Sequence, residues 1–171
     1  EPNRIYSQLL DNINKAAFVG FDIAEIGERL NSAWSGLPKQ SIIYQQAQEC
    51  VNQFRLFCLE SNLLDFSLQF EVFKKQLWPS LLCRSYLKNT YKHLIYDNIE
   101  EDVPAAHDIV ADWLPDLTSA LLIHDTDAGF RTFLGADDPS AARLSGLCDK
   151  QLDFNGSFIQ SPPIKTRFYW R

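Results

Sequence analysis

Apolar residues recur at helical spacing through the first half of the chain. Ile5, Leu9, Ile13, Ala16 and Ala17 mark a first helix. Asp22 begins a second, with Glu25 as its capping-box partner, running to about Trp34. Gly36 and Pro38 break the pattern. The third helix has the longest stripe: Ile43, Ala47, Cys50, Val51, Phe54, Phe57 and Cys58 fall on one face. Asp65 caps a fourth helix through Phe66, Phe70, Phe73 and Leu77, a stripe that reads as core, and Pro79 ends it or starts the next. Trp34, Trp78 and Trp113 stand at helix ends, where large rings close cores.

After Thr90 the pattern changes. His93–Tyr96 is a short apolar run that gives way to Asp97-Asn98-Ile99-Glu100-Glu101-Asp102. Pro104 opens a helix through Ile109, Val110, Trp113 and Leu114. A second run, Ala120–Ile123, ends at His124-Asp125, and Asp138-Pro139 starts a short helix to about Leu147. Strand, helix, strand, helix predicts a predominantly helical α/β chain with a parallel sheet. In such sheets chemistry gathers at the carboxyl ends of the strands. The spacing divides the chain into a helical region over 1–77, an α/β lobe over 78–165 and a basic, aromatic tail over 166–171.

Composition narrows the function. The 171 residues carry a formal charge of −6, which argues against a self-sufficient nucleic-acid binder. No apolar run reaches the length of a membrane span. The sequence starts at Glu1 and contains no Met, so it reads as a processed or truncated piece of a longer protein, and no signal segment opens it. Cys50, Cys58, Cys83 and Cys148 form no C-x-x-C pair, which weakens zinc and redox readings. With 12 Phe for a core, the chain has no need of disulfides. Buried, unpaired thiols in a reducing, cytoplasmic compartment are expected.

The candidate chemistry lies at the two strand ends. Asp97 is the first polar residue after one strand, and Asp125 closes the other in the same way. In P-loop NTPases an Asp at such a place holds Mg²⁺ and a following Glu positions the attacking water. From Leu64-Asp65-Phe66 to Ala136 the chain resembles the motor core of UvrD/Rep/PcrA-type superfamily I DNA helicases. Their strand ending V-D-E-x-Q-D-T-N-P-x-Q is matched by Tyr96 to Ala106, with Asp97 and Pro104 retained. Their strand ending G-D-x-x-Q-S-I-Y-x-F-R-G-A is matched by His124 to Ala136, with Asp125, Asp127, Phe133, Gly135 and Ala136 retained. Ser157-Phe158-Ile159-Gln160-Ser161-Pro162 is similar to a worn copy of the next motif, N-Y-R-S-x-P.

The resemblance implies a helical insertion followed by part of a RecA-like lobe, with Mg-ATP and single-stranded DNA as family ligands and Asp97 and Asp125 on the Mg-nucleotide side, Asp97 touching the metal. It also implies lost chemistry. The family's catalytic Glu falls on Asn98, and an amide cannot take a proton from water. The family Gln of the first block falls on Glu100, the phosphate-sensing Gln of the second on Ala128 and its Arg on Leu134; the finger Arg of the third falls on Ile159. The phosphate loop G-x-x-x-x-G-K-[ST] does not occur. Single losses of this kind cost on the order of 10²–10⁵ in rate. The expectation is a catalytically degenerate helicase-like piece with a scaffold or DNA-transaction role in repair or recombination. It would hold no cofactor of its own, and its partner would be single-stranded DNA or a repair protein.

Other residues carry weaker alternatives. Asp97, Glu100, Glu101 and Asp102 could form the metal site of a hydrolase, or a solvated loop favouring the start of the Pro104 helix; the loop is favoured, because no His or Cys stands at ligand spacing. His124 beside Asp125 could join a polar site or be a satisfied strand-end histidine. Lys165, Arg167 and Arg171, interleaved with Phe168, Tyr169 and Trp170, have the composition of a single-strand stacking surface and equally of an edge strand. A helical protein-interaction module binding neither nucleotide nor DNA also fits the acidic charge.

Overall fold

The computed structural model describes residues 2–126, 128–154 and 165–170. The chain forms two compact units, Glu1–Ser80 and Leu81–Arg171. Among the described residues it is a predominantly helical α/β protein.

The first unit contains α1 (Pro2–Val19), α2 (Ile26–Ala33), α3 (Lys39–Glu60) and α4 (Phe66–Val72). Ile13, Ala16, Ala17, Ile23 and Val51 make its core, flanked by Leu9, Ile26 and Phe70. Asp22 does cap a helix start, accepting from the Ala24 N–H, but the start is a 3-10 turn, Ile23–Glu25, ahead of α2. Glu25 does not complete a capping box; its carboxylate takes Arg29 one turn on. Asp65 caps α4 by accepting from the Ser67 and Leu68 N–H groups, and a π-helical turn, Phe73–Leu77, follows. At Gly27 a Cβ would meet Gln48 Cβ at 2.9 Å and the Tyr44 carbonyl at 3.0 Å. Glycine thereby lets α2 approach α3, and Gln48 closes the contact by accepting from the Gly27 N–H and donating to the Ile23 carbonyl.

The long stripe on α3 is only partly covered. Val51 and Cys58 are buried, whereas Ile43, Phe54 and Phe57 face solvent. The expectation of mostly buried cysteines is corrected with it. No disulfide joins the four, but only Cys58 is buried, Cys83 and Cys148 are half-buried and Cys50 is exposed. The stripe is wider than the surface the neighbouring helices offer it.

The second unit runs α5 (Leu81–Thr90), β1 (His93–Tyr96), α6 (Pro104–Trp113), β2 (Ser119–Thr126), α7 (Asp138–Arg143), β3 (Lys150–Phe154) and β4 (Lys165–Trp170). The described sheet has the order β1-β2-β4-β3. β1 and β2 are adjacent and parallel, with Tyr96 opposite Leu122, and α6 supplies the crossover such a pair requires. The expected parallel sheet is present as the β1–β2 pair, and β4 extends it by running antiparallel to both β2 and β3. The tail is therefore not an edge strand. Lys165–Trp170 lies inside the sheet, hydrogen-bonded on both sides, and its pairing carries β2 on to Thr126, past the end expected at Ile123. Ile99, Leu114, Ala120, Leu122, Ala141, Leu144 and Tyr169 form the core on one face. On the opposite face of β1, Ile95 stays 73% exposed. Arg84 of α5 ties that helix to Asp112 and Asp116.

Candidate functional site

The loop after β1, the end of β2 and the start of α7 meet at one end of the sheet. Tyr96 is level with Leu122, so Asp97 is level with Ile123 and Asp125 lies two residues further along β2, about 7 Å beyond it at strand rise. The two carboxylates expected at the strand ends thus share one end of the sheet. Their surroundings differ. Asp97 is exposed, and its Oδ1 accepts from the Asn98 N–H at 3.0 Å. Asp125 is half-buried, and its Oδ1 is buried with no hydrogen-bond partner. Asn98, at the position of the family's catalytic Glu, has left-handed backbone (φ 53°, ψ 49°), a conformation Asn tolerates better than most residues.

The acids that follow are neither a metal cluster nor a solvated loop; they are internal acceptors. Glu100 is 2% exposed, and its Oε2 accepts from the Asp125 N–H at 3.1 Å, stitching the loop to β2. Burial pushes its carboxyl above the ordinary range, against the pull of its own and the Asp125 N–H groups, with the Asp125 charge adding to the rise and His124 opposing it. Glu101 accepts from the Phe130 and Arg131 N–H groups at 3.0 and 2.9 Å. Desolvation works to raise its pKa, but these bonds, the Gly129 N–H and the nearby Arg131 together hold it below the usual range. Asp102 accepts from the Tyr96 hydroxyl at 2.7 Å; burial first, and this bond second, push the phenol's pKa up.

Two histidines complete the layer. His124 is buried on β2, and its Nε2–H donates to Asp138 Oδ1 at 2.5 Å. Its Nδ1 is buried without a partner, so the satisfied-histidine reading holds for one ring nitrogen. His107 of α6 is 1% exposed. A carbonyl can only accept, so its Nε2 carries the proton given to Ile99 O at 2.8 Å, and Nδ1 lies 2.6 Å from the Ser140 hydroxyl, whose one proton is shared with the Asp137 carbonyl at 2.8 Å. Burial pushes its pKa down, although the Ile99 carbonyl and the charges of Asp102, Asp137 and Asp108 work against that. The neutral ring pins α6 to α7.

Sequence reasoning missed His107 and gave Glu100 and Glu101 the wrong surroundings. No feature of the sequence marks the backbone N–H groups of Asp125, Phe130 and Arg131 as the donors these carboxylates meet. Among the described residues no group of three or more His, Cys, Asp or Glu side chains is arranged to hold a metal. Glu100 and Glu101 accept from the backbone N–H groups of Asp125, Phe130 and Arg131. Lys165 and Arg167 lie on β4, paired with Thr126 and His124. Asp127, the 157–162 motif and Arg171 fall outside the described residues. Among the described residues no helix is long and apolar enough to cross a membrane. Comparison of the chain with protein-family models, with curated proteins and with solved structures finds no match.

Proposed function

We propose that this chain is a catalytically degenerate, UvrD/Rep/PcrA-like helicase piece whose role in DNA repair or recombination is that of a scaffold. The observation that carries the reading is the β1–α6–β2 unit, with Asp97 and Asp125 at one end of adjacent parallel strands. That is the arrangement the two motif blocks require of each other. Asn98 stands where the attacking water would need a carboxylate, and the Gln position is taken by Glu100, which is bonded to the Asp125 N–H. An acceptor so engaged serves the fold rather than a nucleotide. Mg-ATP belongs to this reading only through the resemblance, and no chemical step is assigned to it.

The expected outcome in an ATPase assay is no turnover, with or without single-stranded DNA. Turnover that disappears in Asp97→Ala would overturn the degenerate reading. Binding of a labelled single strand should be weak, because the chain's mean charge repels phosphate, and binding that rests on a local cationic patch should fall steeply with salt. Loss of that binding in Arg167→Ala would locate it on Lys165, Arg167 and Arg171. Tight, salt-insensitive binding would contradict the charge argument.

A further inference from the structure

The 3-10 turn Phe130–Leu134 holds large apolar side chains out in water. Phe130 is 80% exposed, Phe133 70% and Leu134 53%. Large apolar side chains stabilise a fold when they are buried, so these three, left outside, contribute little to this unit.

The turn is nonetheless well anchored. The Glu101 carboxylate accepts from its first two N–H groups. Gly129 (φ 94°) and Gly135 (φ 99°) set the left-handed bends at its ends. The Ala136 N–H bonds back to the Arg131 carbonyl, and Ala136 is buried. An apolar surface on a fixed backbone has already met much of the ordering cost of binding.

The charge around the turn is one-sided. The segments that frame it carry Asp138, which is exposed, and Glu101, Asp102 and Asp137, all half-buried. Asp138 lies close enough that a Cβ on Gly129 would sit 3.9 Å from its own. Asp137 is joined to the same loop through its N–H to the Asp102 carbonyl. The turn's own cation, Arg131, lies 4.0 Å from Glu101 and is largely offset by it. A phosphate backbone approaching the rings would meet carboxylates; a lysine or arginine would be drawn to them.

We infer that Phe130, Phe133 and Leu134 form a docking surface for a basic, apolar segment of another polypeptide. The rings enter its apolar side chains while Asp138 and the other carboxylates around the turn draw its cations. This goes beyond the helicase-like reading and does not depend on it, since neither nucleotide nor nucleic acid takes part.

Fluorescence anisotropy on the full chain tests it with three labelled probes: a peptide alternating lysine with leucine, one alternating glutamate with leucine, and oligodeoxythymidine. The lysine–leucine peptide should bind and weaken with salt, the glutamate–leucine peptide should not bind, and oligodeoxythymidine should bind more weakly than the lysine–leucine peptide. Phe130→Ser with Phe133→Ser should lower its affinity about tenfold or more, as loss of central aromatic anchors does. The melting temperature should not move, because both rings are exposed. Asp138→Asn, which keeps an oxygen for His124, should lower the affinity less and flatten the salt dependence, and it covers the case in which the double variant misfolds. Equal binding by the double variant, no binding of the lysine–leucine peptide at low salt, or preference for either other probe would overturn the inference.

Discussion

The two units of this chain are held together in different ways. In Glu1–Ser80 the core is apolar and small, and the polar contacts are mostly local caps or helix-to-helix bridges such as Gln48. In Leu81–Arg171 a somewhat larger apolar core carries a polar layer along one end of the sheet. There Glu100, His107, His124 and Ser140 are all buried, and each is bonded to a different segment. The first unit depends on how much apolar surface its helices can cover. The second depends in addition on every member of a hydrogen-bonded layer finding its partner, where a single loss strands a buried polar group.

The strongest way to probe that difference is to cut the two cores. Leu122→Ala, at a fully buried site between core residues of the second unit, should cost about 3–4 kcal/mol. Ile13→Ala should cost about 2 kcal/mol, the low end of the same range. Ile13 adjoins an open apolar groove lined by Ile5, Leu9, Val51 and Phe54, and the site can close on itself. Urea titrations read through amide signals of each unit separate the two costs. Equal costs would remove the contrast in packing.

His107→Ala tests the polar layer. It removes one of two bonds at each of the Ile99 carbonyl and the Ser140 hydroxyl, which keep the Asp102 N–H and the Asp137 carbonyl, and should cost about 1–2 kcal/mol. Because burial lowers the His107 pKa from 6.5, its contribution is present above that value and is lost as pH falls through the lowered one. The variant should lose that part of the acid slope in a melting-temperature profile. An unchanged slope would mean that another group sets it.

What could be read from the sequence follows the same division. Helical spacing located α1, α3 and α4, and the Asp65 cap, because each depends on residues within a turn or two. The runs at His93–Tyr96 and Ala120–Ile123 located β1 and most of β2. β3 gave no signal: Lys-Gln-Leu-Asp-Phe is exposed along its length and is a strand only through its pairing with β4. The tail's interior place depends on the same long-range pairing. The acidic run misled for a related reason. Carboxylates are visible in a sequence, whereas the backbone N–H groups of Asp125, Phe130 and Arg131 that engage them are not.

A smaller effect is expected at the Asp65 cap of the first unit. Asp65→Ala removes the acceptor of the Ser67 and Leu68 N–H groups and of the Ser67 hydroxyl, costing about 1 kcal/mol. Asp65→Asn should recover part of it. Hydrogen exchange should report the loss within α4 alone. A loss spread across the second unit would show that caps here are not local.

The smallest effect has the opposite sign. Glu100 is a carboxyl whose pKa is raised from 4.5, mainly by burial. Its folded form prefers the proton, so its contribution to stability is full below 4.5 and is lost as pH rises through the raised value. At neutral pH the ionised carboxylate is a cost to the fold. Glu100→Gln keeps the shape and an oxygen for the Asp125 N–H without the charge. It should leave stability unchanged in acid and raise it by up to about 1 kcal/mol at neutral pH, with the gain growing across the interval where wild type declines. Glutamine is also what the helicase motif carries at this position, so the variant separates two accounts of the layer. A gain at neutral pH means that the carboxylate costs the second unit stability. A loss there would mean that the two N–H groups on Glu100 outweigh its burial, and that the charge itself helps hold the loop to β2.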